Sequence, residues 1–203
     1  MTLLSFLLGY LIGSIPTAVF LARRKGIDLR SAGSGNPGTK NALGTGGPVL
    51  AVAVLAVEAV KGYGAVWLGS AIGDEVGALA AGIGAVAGNV YNVWYRFEGG
   101  KGLGISLGVL AALWPIVLPV MLVVIVLGAV VTRSAGLAAL AAMAGIIVSA
   151  IVWSAQGWAT YGMISTGPQL LVLAVAMTVV MVWKHWRASP LNPAWRSGQR
   201  TPA

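Results

Sequence analysis

Along the chain, apolar residues come in long uncharged runs, separated by short connections in which glycine and the charged residues collect. Residues 3–22, 48–70, 76–95, 135–155 and 168–183 each have about the 17–25 residues that a helix needs to cross roughly 30 Å of hydrocarbon. The run 103–131 is longer, with Trp114-Pro115 near its middle. Proline removes a backbone donor and breaks a helix there unless neighbours compensate. The pattern therefore predicts an all-α chain whose central stretch is either one overlong helix or two short ones.

Charge decides between these two. The connection 23–47 carries Arg23, Arg24, Lys25, Arg30 and Lys40, the next carries Asp74 and Glu75 without a cation, and the third carries Arg96 and Lys101. Basic connections mark the cytoplasmic side of a multi-pass membrane protein, so the N-terminus is expected outside. If 103–131 forms two short helices, Arg133 and the tail cations Lys184, Arg187, Arg196 and Arg200 also return to the cytoplasmic side. The reading is an integral membrane bundle of seven spans. Its two central helices of about 14 residues reach only about 21 Å each and would need tilting or local thinning of the bilayer. Residues 1–187 form the membrane domain and 188–203 a short polar cytoplasmic tail. The run 3–22 has no basic residues before it, unlike a secretory leader, and reads as a retained span.

Composition narrows the chemistry. Of 203 residues 9% are charged, with five acidic residues, one histidine and no cysteine. A thiolate nucleophile is excluded, and a metal site, a paired-carboxylate centre or a serine–histidine–carboxylate triad has almost nothing to be built from. No metal and no cofactor are expected. The net charge of +8 is spread over membrane connections instead of one soluble face, which speaks against nucleic acid. Gly9/Gly13 and Gly84/Gly88 have the spacing of close helix contacts within apolar spans.

Three connections and one charge pair remain as candidate chemistry. Gly33-Ser34-Gly35-Asn36-Pro37-Gly38, followed by Lys40 and Asn41, frees backbone amides to surround an anion. It reads otherwise as a flexible loop. Gly99-Gly100-Lys101-Gly102 precedes an apolar helix, whose start offers unpaired amides beside the lysine, a competent phosphate site. Lys184-His185-Trp186-Arg187 closes the last span, where an aromatic and cationic anchor is common. Glu58 and Lys61, three residues apart within the second span, share a helical face. Ionisable groups at that depth usually face the bundle interior and serve a site, although a pair that only fixes packing is the simpler reading.

Together these residues, in this order and spacing and with Gly13-Ser14-Ile15-Pro16, resemble the acyl-phosphate-dependent glycerol-3-phosphate acyltransferase family of the PlsY type. The resemblance covers essentially the whole chain. It implies a seven-helix cell-membrane protein with its active site on the cytoplasmic side. The implied reaction moves an acyl group from acyl phosphate to the 1-hydroxyl of glycerol 3-phosphate, giving lysophosphatidate, with no acyl-carrier protein or coenzyme A as direct donor. It implies Ser34, Asn36, Lys101 and His185 as catalytic residues. Gly33, Gly35, Gly38, Lys40, Asn41, Gly99, Gly100 and Gly102 would bind substrate phosphate, with Glu58 and Lys61 as the pocket's charge pair. An acyl phosphate is already activated, so such a reaction needs positioning and oxyanion donors more than a protein nucleophile.

The sequence departs from the family pattern at several places. Gly-Ala-Thr-Asn is Gly38-Thr39-Lys40-Asn41, and a following arginine is Gly44. Gly-His is Gly88-Asn89, the next proline is Asn92, and a threonine is Ile105. Ser-Leu-Gly-Ser is Gly136-Leu137-Ala138-Ala139, and the last asparagine is Ala188. These leave open a second reading, a non-catalytic homologue that binds lipid phosphates or a partner enzyme, and a third, a transporter.

Overall fold

The structure, a computed structural model, describes residues 1–196; Arg200 and the rest of the expected tail from 197 onward lie outside the described residues. Its helices are α1 (Thr2–Ser14), α2 (Thr17–Arg23), α3 (Thr39–Val90), α4 (Leu103–Leu113), α5 (Leu118–Thr132), α6 (Ala135–Gln156), α7 (Pro168–Arg187) and the short α8 (Pro193–Arg196). Single 3₁₀ turns stand at Val93–Tyr95 and Pro115–Val117. The protein is an all-helical membrane bundle.

The first expected span is two helices, because Pro16 cannot supply an amide to continue α1. Continuous helix through α3 would measure about 78 Å, far more than a bilayer needs. The chain instead breaks at Gly47 and at Gly73-Asp74, where Gly47 and Asp74 take positive φ values of 81° and 50°. Gly69 and Gly77 then lie backbone against backbone, so the two halves form a hairpin of two passes. The central stretch divides at Trp114-Pro115 into α4 and α5, as its proline predicts.

Glycine sets the closeness of the packing. A side chain on Gly9 or Gly13 would strike the backbone of Ala81 or Ala85, and one on Gly84 or Gly88 that of Phe6 or Tyr10. The two glycine pairs noted in the sequence thus face each other's helices. Gly62 and Gly108 do the same for α3 and α4, against Ile105 and Ala59. Without a hydrophobic drive between helices in lipid, such backbone approach is a main source of association.

The connections sort onto two ends. At one, Met1 lies beside Gly73, Ser165 donates to Glu75 through both its amide and its hydroxyl (3.0 and 2.7 Å), and Gly162 packs on Leu113. At the other, Arg30 reaches Glu98, Lys184 reaches Gly99, and Gly136 packs on Ala188. Among the described residues seven passes join these ends, and Arg23, Arg24, Lys25, Arg30, Lys40, Arg96, Lys101, Arg133, Lys184 and Arg187 all fall at the second. Helix α4 is shorter than expected, 11 residues or about 16 Å. The segment between α6 and α7 folds over its end, with Met163 donating to the Ala112 carbonyl at 2.9 Å. Fully buried Trp114 meets Trp153 edge to face beneath it.

Candidate active site

The cationic end is organised around the turn 89–102. Four other parts of the chain pin it. From α1, the Ser14 carbonyl accepts from Asn92 Nδ2 at 2.6 Å, and the Tyr10 hydroxyl donates to the Tyr91 carbonyl at 2.6 Å. From the α2–α3 loop, Arg30 donates to the Glu98 carbonyl at 2.9 Å and lies 4.2 Å over the Tyr95 ring. From α7, Lys184 donates to the Gly99 carbonyl at 3.3 Å, and His185 Nε2 lies 3.0 Å from the Lys101 carbonyl. A carbonyl only accepts, so Nε2 carries the proton. Buried His185 therefore holds the loop that carries Lys101.

The fourth tie is the charge pair. Lys61 Nζ sits 3.1 Å from both oxygens of Glu58, and both residues are buried. Thr17 donates to Glu58 Oε1 at 2.7 Å, Asn89 donates to Oε2 at 2.6 Å, and Lys61 also donates to the Ile15 carbonyl at 2.7 Å. A buried carboxylate is tolerated only when its lone pairs are met this fully. The pair thereby links the break after α1 to Asn89, the residue whose carbonyl accepts from the Gly100 amide. Thr17 and Asn89 are partners of the charge pair that sequence reading did not single out in this role.

In the first glycine loop, Asn41 spends its side chain internally. Its Nδ2 donates to the Leu29 and Ala32 carbonyls (2.9 and 3.0 Å), and its Oδ1 accepts from the Ser34 amide at 2.9 Å. The amides of Gly35, Asn36 and Gly38 also have protein acceptors, as do those of Gly99 and Gly100 on the Val90 and Asn89 carbonyls. Expected phosphate donors from the glycines are thus largely occupied. The helices that the two motifs precede, α3 and α4, begin with first-turn amides that have no partner within the helix. Gly99 serves instead by letting the turn approach the Asn89 backbone, and Gly102 by taking a φ of 86° as the α4 N-cap. Of the other expected residues, Ser34 is exposed. Asn36 is 9% exposed, and its Oδ1 is a buried acceptor with no protein partner.

One cavity opens at this turn and a second begins at Leu103, directly after it. A cleft of about 270 Å³ is lined by Pro16, Pro37, Glu58, Asn89, Gly99 and Gly100, which brings the two glycine motifs and the charge pair to one place. A second cavity of about 650 Å³ runs between α4, α5, α6 and α7 and is almost wholly apolar, with Leu103, Leu110, Met121, Met143 and Met181 in its walls. In the chain Lys101 lies between Gly100, which lines the cleft, and Leu103, which lines the apolar cavity. Burial lowers its pKa below the ordinary lysine value, and the neighbouring charges of Lys40 and Lys184 lower it further. A cationic site with incomplete charge balance thus adjoins a membrane-depth apolar cavity. That combination suits an amphiphile with an anionic head.

Comparison with known proteins agrees. A family model described as glycerol-3-phosphate acyltransferase matches residues 3–189. Curated relatives of that name are 41% identical over 179 residues in Brucella anthropi (87% of this chain, 82% of the relative) and 37% identical over 189 residues in Sinorhizobium fredii (93% and 86%). The crystal structure of PlsY, an integral membrane glycerol 3-phosphate acyltransferase, in its glycerol 3-phosphate form superposes with a TM-score of 0.77 at 25% identity. That match covers 100% of this chain and 95% of that one. Its lysophosphatidic acid form gives 0.76 at 24% identity, covering 99% and 94%, and so speaks for the fold. With nearly its whole length matched by the family model and by full-length relatives, this chain belongs to the glycerol-3-phosphate acyltransferase family.

Proposed function

We propose that the protein transfers a fatty acyl group from acyl phosphate to the 1-hydroxyl of glycerol 3-phosphate, giving lysophosphatidate and inorganic phosphate. The observation that carries this is that the segment 99–103, with Lys101 in its middle, runs from the polar cleft at Gly100 to the apolar cavity at Leu103. The cleft, with Asn36 and the first turn of α3 beside it, receives glycerol 3-phosphate. The apolar cavity receives the acyl chain. Lys101 and the first-turn amides of α4 take the phosphate of the donor, where the positive end of the helix favours an anion.

In the reaction, the 1-hydroxyl oxygen bonds to the acyl carbon, the carbon–oxygen bond to phosphate breaks, and phosphate leaves with that electron pair. The hydroxyl proton passes to a substrate phosphate oxygen. Both Glu58 oxygens are already occupied by Thr17, Lys61 and Asn89, so Glu58 positions the turn and is not the base. A cytoplasmic site on the cell membrane is part of this reading, supported by the cations gathered at the same end, since basic connections favour that side. No acyl-carrier protein or coenzyme A is needed as direct donor. The test is purified protein in lipid given glycerol 3-phosphate with either long-chain acyl phosphate or acyl-coenzyme A. Lysophosphatidate is expected from the first donor only. Folded protein that gives no product from acyl phosphate overturns the reading.

A further inference from the structure

The apolar cavity has one feature that a simple hydrocarbon pocket does not need. Two of its lining residues carry hydroxyls, Ser106 and Thr178. Thr178 donates to the Ala174 carbonyl of its own helix at 2.8 Å. Ser106 is 5% exposed, and its hydroxyl reaches only the thioether sulfur of Met181, at 3.5 Å. A thioether is a weak acceptor, so this buried donor is poorly compensated in surroundings where a satisfied one is the rule. Its place is also particular. The Ser106 amide donates to the Gly102 carbonyl at 2.9 Å, which puts Ser106 one helical turn, about 5.4 Å, beyond the residue that follows Lys101. In an acyl phosphate the group that joins the phosphate to the chain is the carbonyl, so a phosphate at the start of α4 with its chain in the cavity brings the carbonyl toward the face of α4 that carries Ser106.

We infer that Ser106 is a further catalytic residue: its hydroxyl turns from Met181 to the acyl carbonyl oxygen and donates a hydrogen bond to it. The inference rests on the acyl-transfer reading above. The hydroxyl makes no covalent bond and loses no proton. It stabilises the negative charge that grows on the carbonyl oxygen as the glycerol oxygen adds, and the charge leaves with phosphate when the carbonyl re-forms. Such a donor acts most strongly where water is excluded, and the cavity walls provide that exclusion.

Ser106→Ala is expected to lower kcat at least about tenfold, with the KM for glycerol 3-phosphate unchanged; loss of one fully preorganised oxyanion donor costs roughly 10²–10³. Ser106→Thr and Ser106→Val form a second pair of equal shape that differs only in the hydroxyl. The threonine variant should keep most of the activity and the valine variant should not. Binding is measured separately with two unreactive probes. One is a long-chain 2-oxoalkyl phosphonate, which keeps the carbonyl but has a methylene in place of the bridging oxygen; the other is an alkyl phosphate of equal length with no carbonyl. Ser106→Ala should weaken the first at least about fivefold and leave the second unchanged. Equal losses for both probes, or equal activity of the threonine and valine variants, would overturn the role of Ser106 while the acyl-transfer reading stands. Wild-type protein that binds neither probe and forms no product would overturn both.

Discussion

The charge pair at the centre of the site gives a quantitative test. Lys61→Met removes both 3.1 Å contacts to Glu58 and the 2.7 Å contact to the Ile15 carbonyl, while the carboxylate keeps only Thr17 and Asn89. Breaking a buried ion pair by removing one partner costs about 3–5 kcal/mol, because an uncompensated charge stays behind. Replacing both partners by neutral groups of similar volume can be close to neutral. The double variant Glu58→Gln/Lys61→Met should therefore be destabilised less than the sum of the single variants, by at least about 2 kcal/mol. Unfolding by sodium dodecyl sulfate in mixed micelles, followed through the eight tryptophans, measures all four corners of the cycle. If Lys61→Met falls within about 1 kcal/mol of wild type, or the single effects simply add, the pair does not hold the break after α1 to the 89–102 turn in the way argued here.

Lys101→Ala should lower activity at least about tenfold, since a charge-assisted contact is worth roughly 1.5–3 kcal/mol; unchanged kinetics would put the phosphate elsewhere. The pKa of Lys101 is lowered, so its cationic form, and with it kcat/KM, should fall off at a lower pH than an ordinary lysine would give. Lys40→Gln removes a neighbouring positive charge, which raises the Lys101 pKa and moves that alkaline limb to higher pH; a pH profile showing no shift, or the opposite one, contradicts the assignment. Gly136→Ser restores a family residue, but its Cβ would come within 2.6–2.9 Å of the Ala188 and His185 carbonyl oxygens. It should reduce thermal stability and activity together, whereas a gain in activity would show that the end of α7 can shift to admit it.

What could be read from the sequence follows from its regularities. Span number, the break at Trp114-Pro115 and the gathering of cations at one end depend on hydropathy and charge, which act locally along the chain. The glycine pairs were legible because small residues at a spacing of four have one dominant use in apolar helices. Glu58 and Lys61 stood out because charge at that depth is costly. The partners of these groups were not legible. Thr17 and Asn89 lie 41 and 31 residues from Glu58, and no spacing rule joins them before the helices pack. Nor did the glycines announce that most of their amides would be used inside the protein. The same holds for the segment covering α4, whose short length called for compensation that the bilayer was expected to supply.

The central claim is that one end of this bundle joins a cationic phosphate site to an apolar acyl cavity and moves the acyl group between them. It is tested most directly by following acyl phosphate and glycerol 3-phosphate together with purified protein in lipid, wild type beside Lys101→Ala. One inorganic phosphate should be released for each lysophosphatidate formed, with the variant slowed at least about tenfold. Phosphate release without lysophosphatidate, or equal rates for the two proteins, would contradict it.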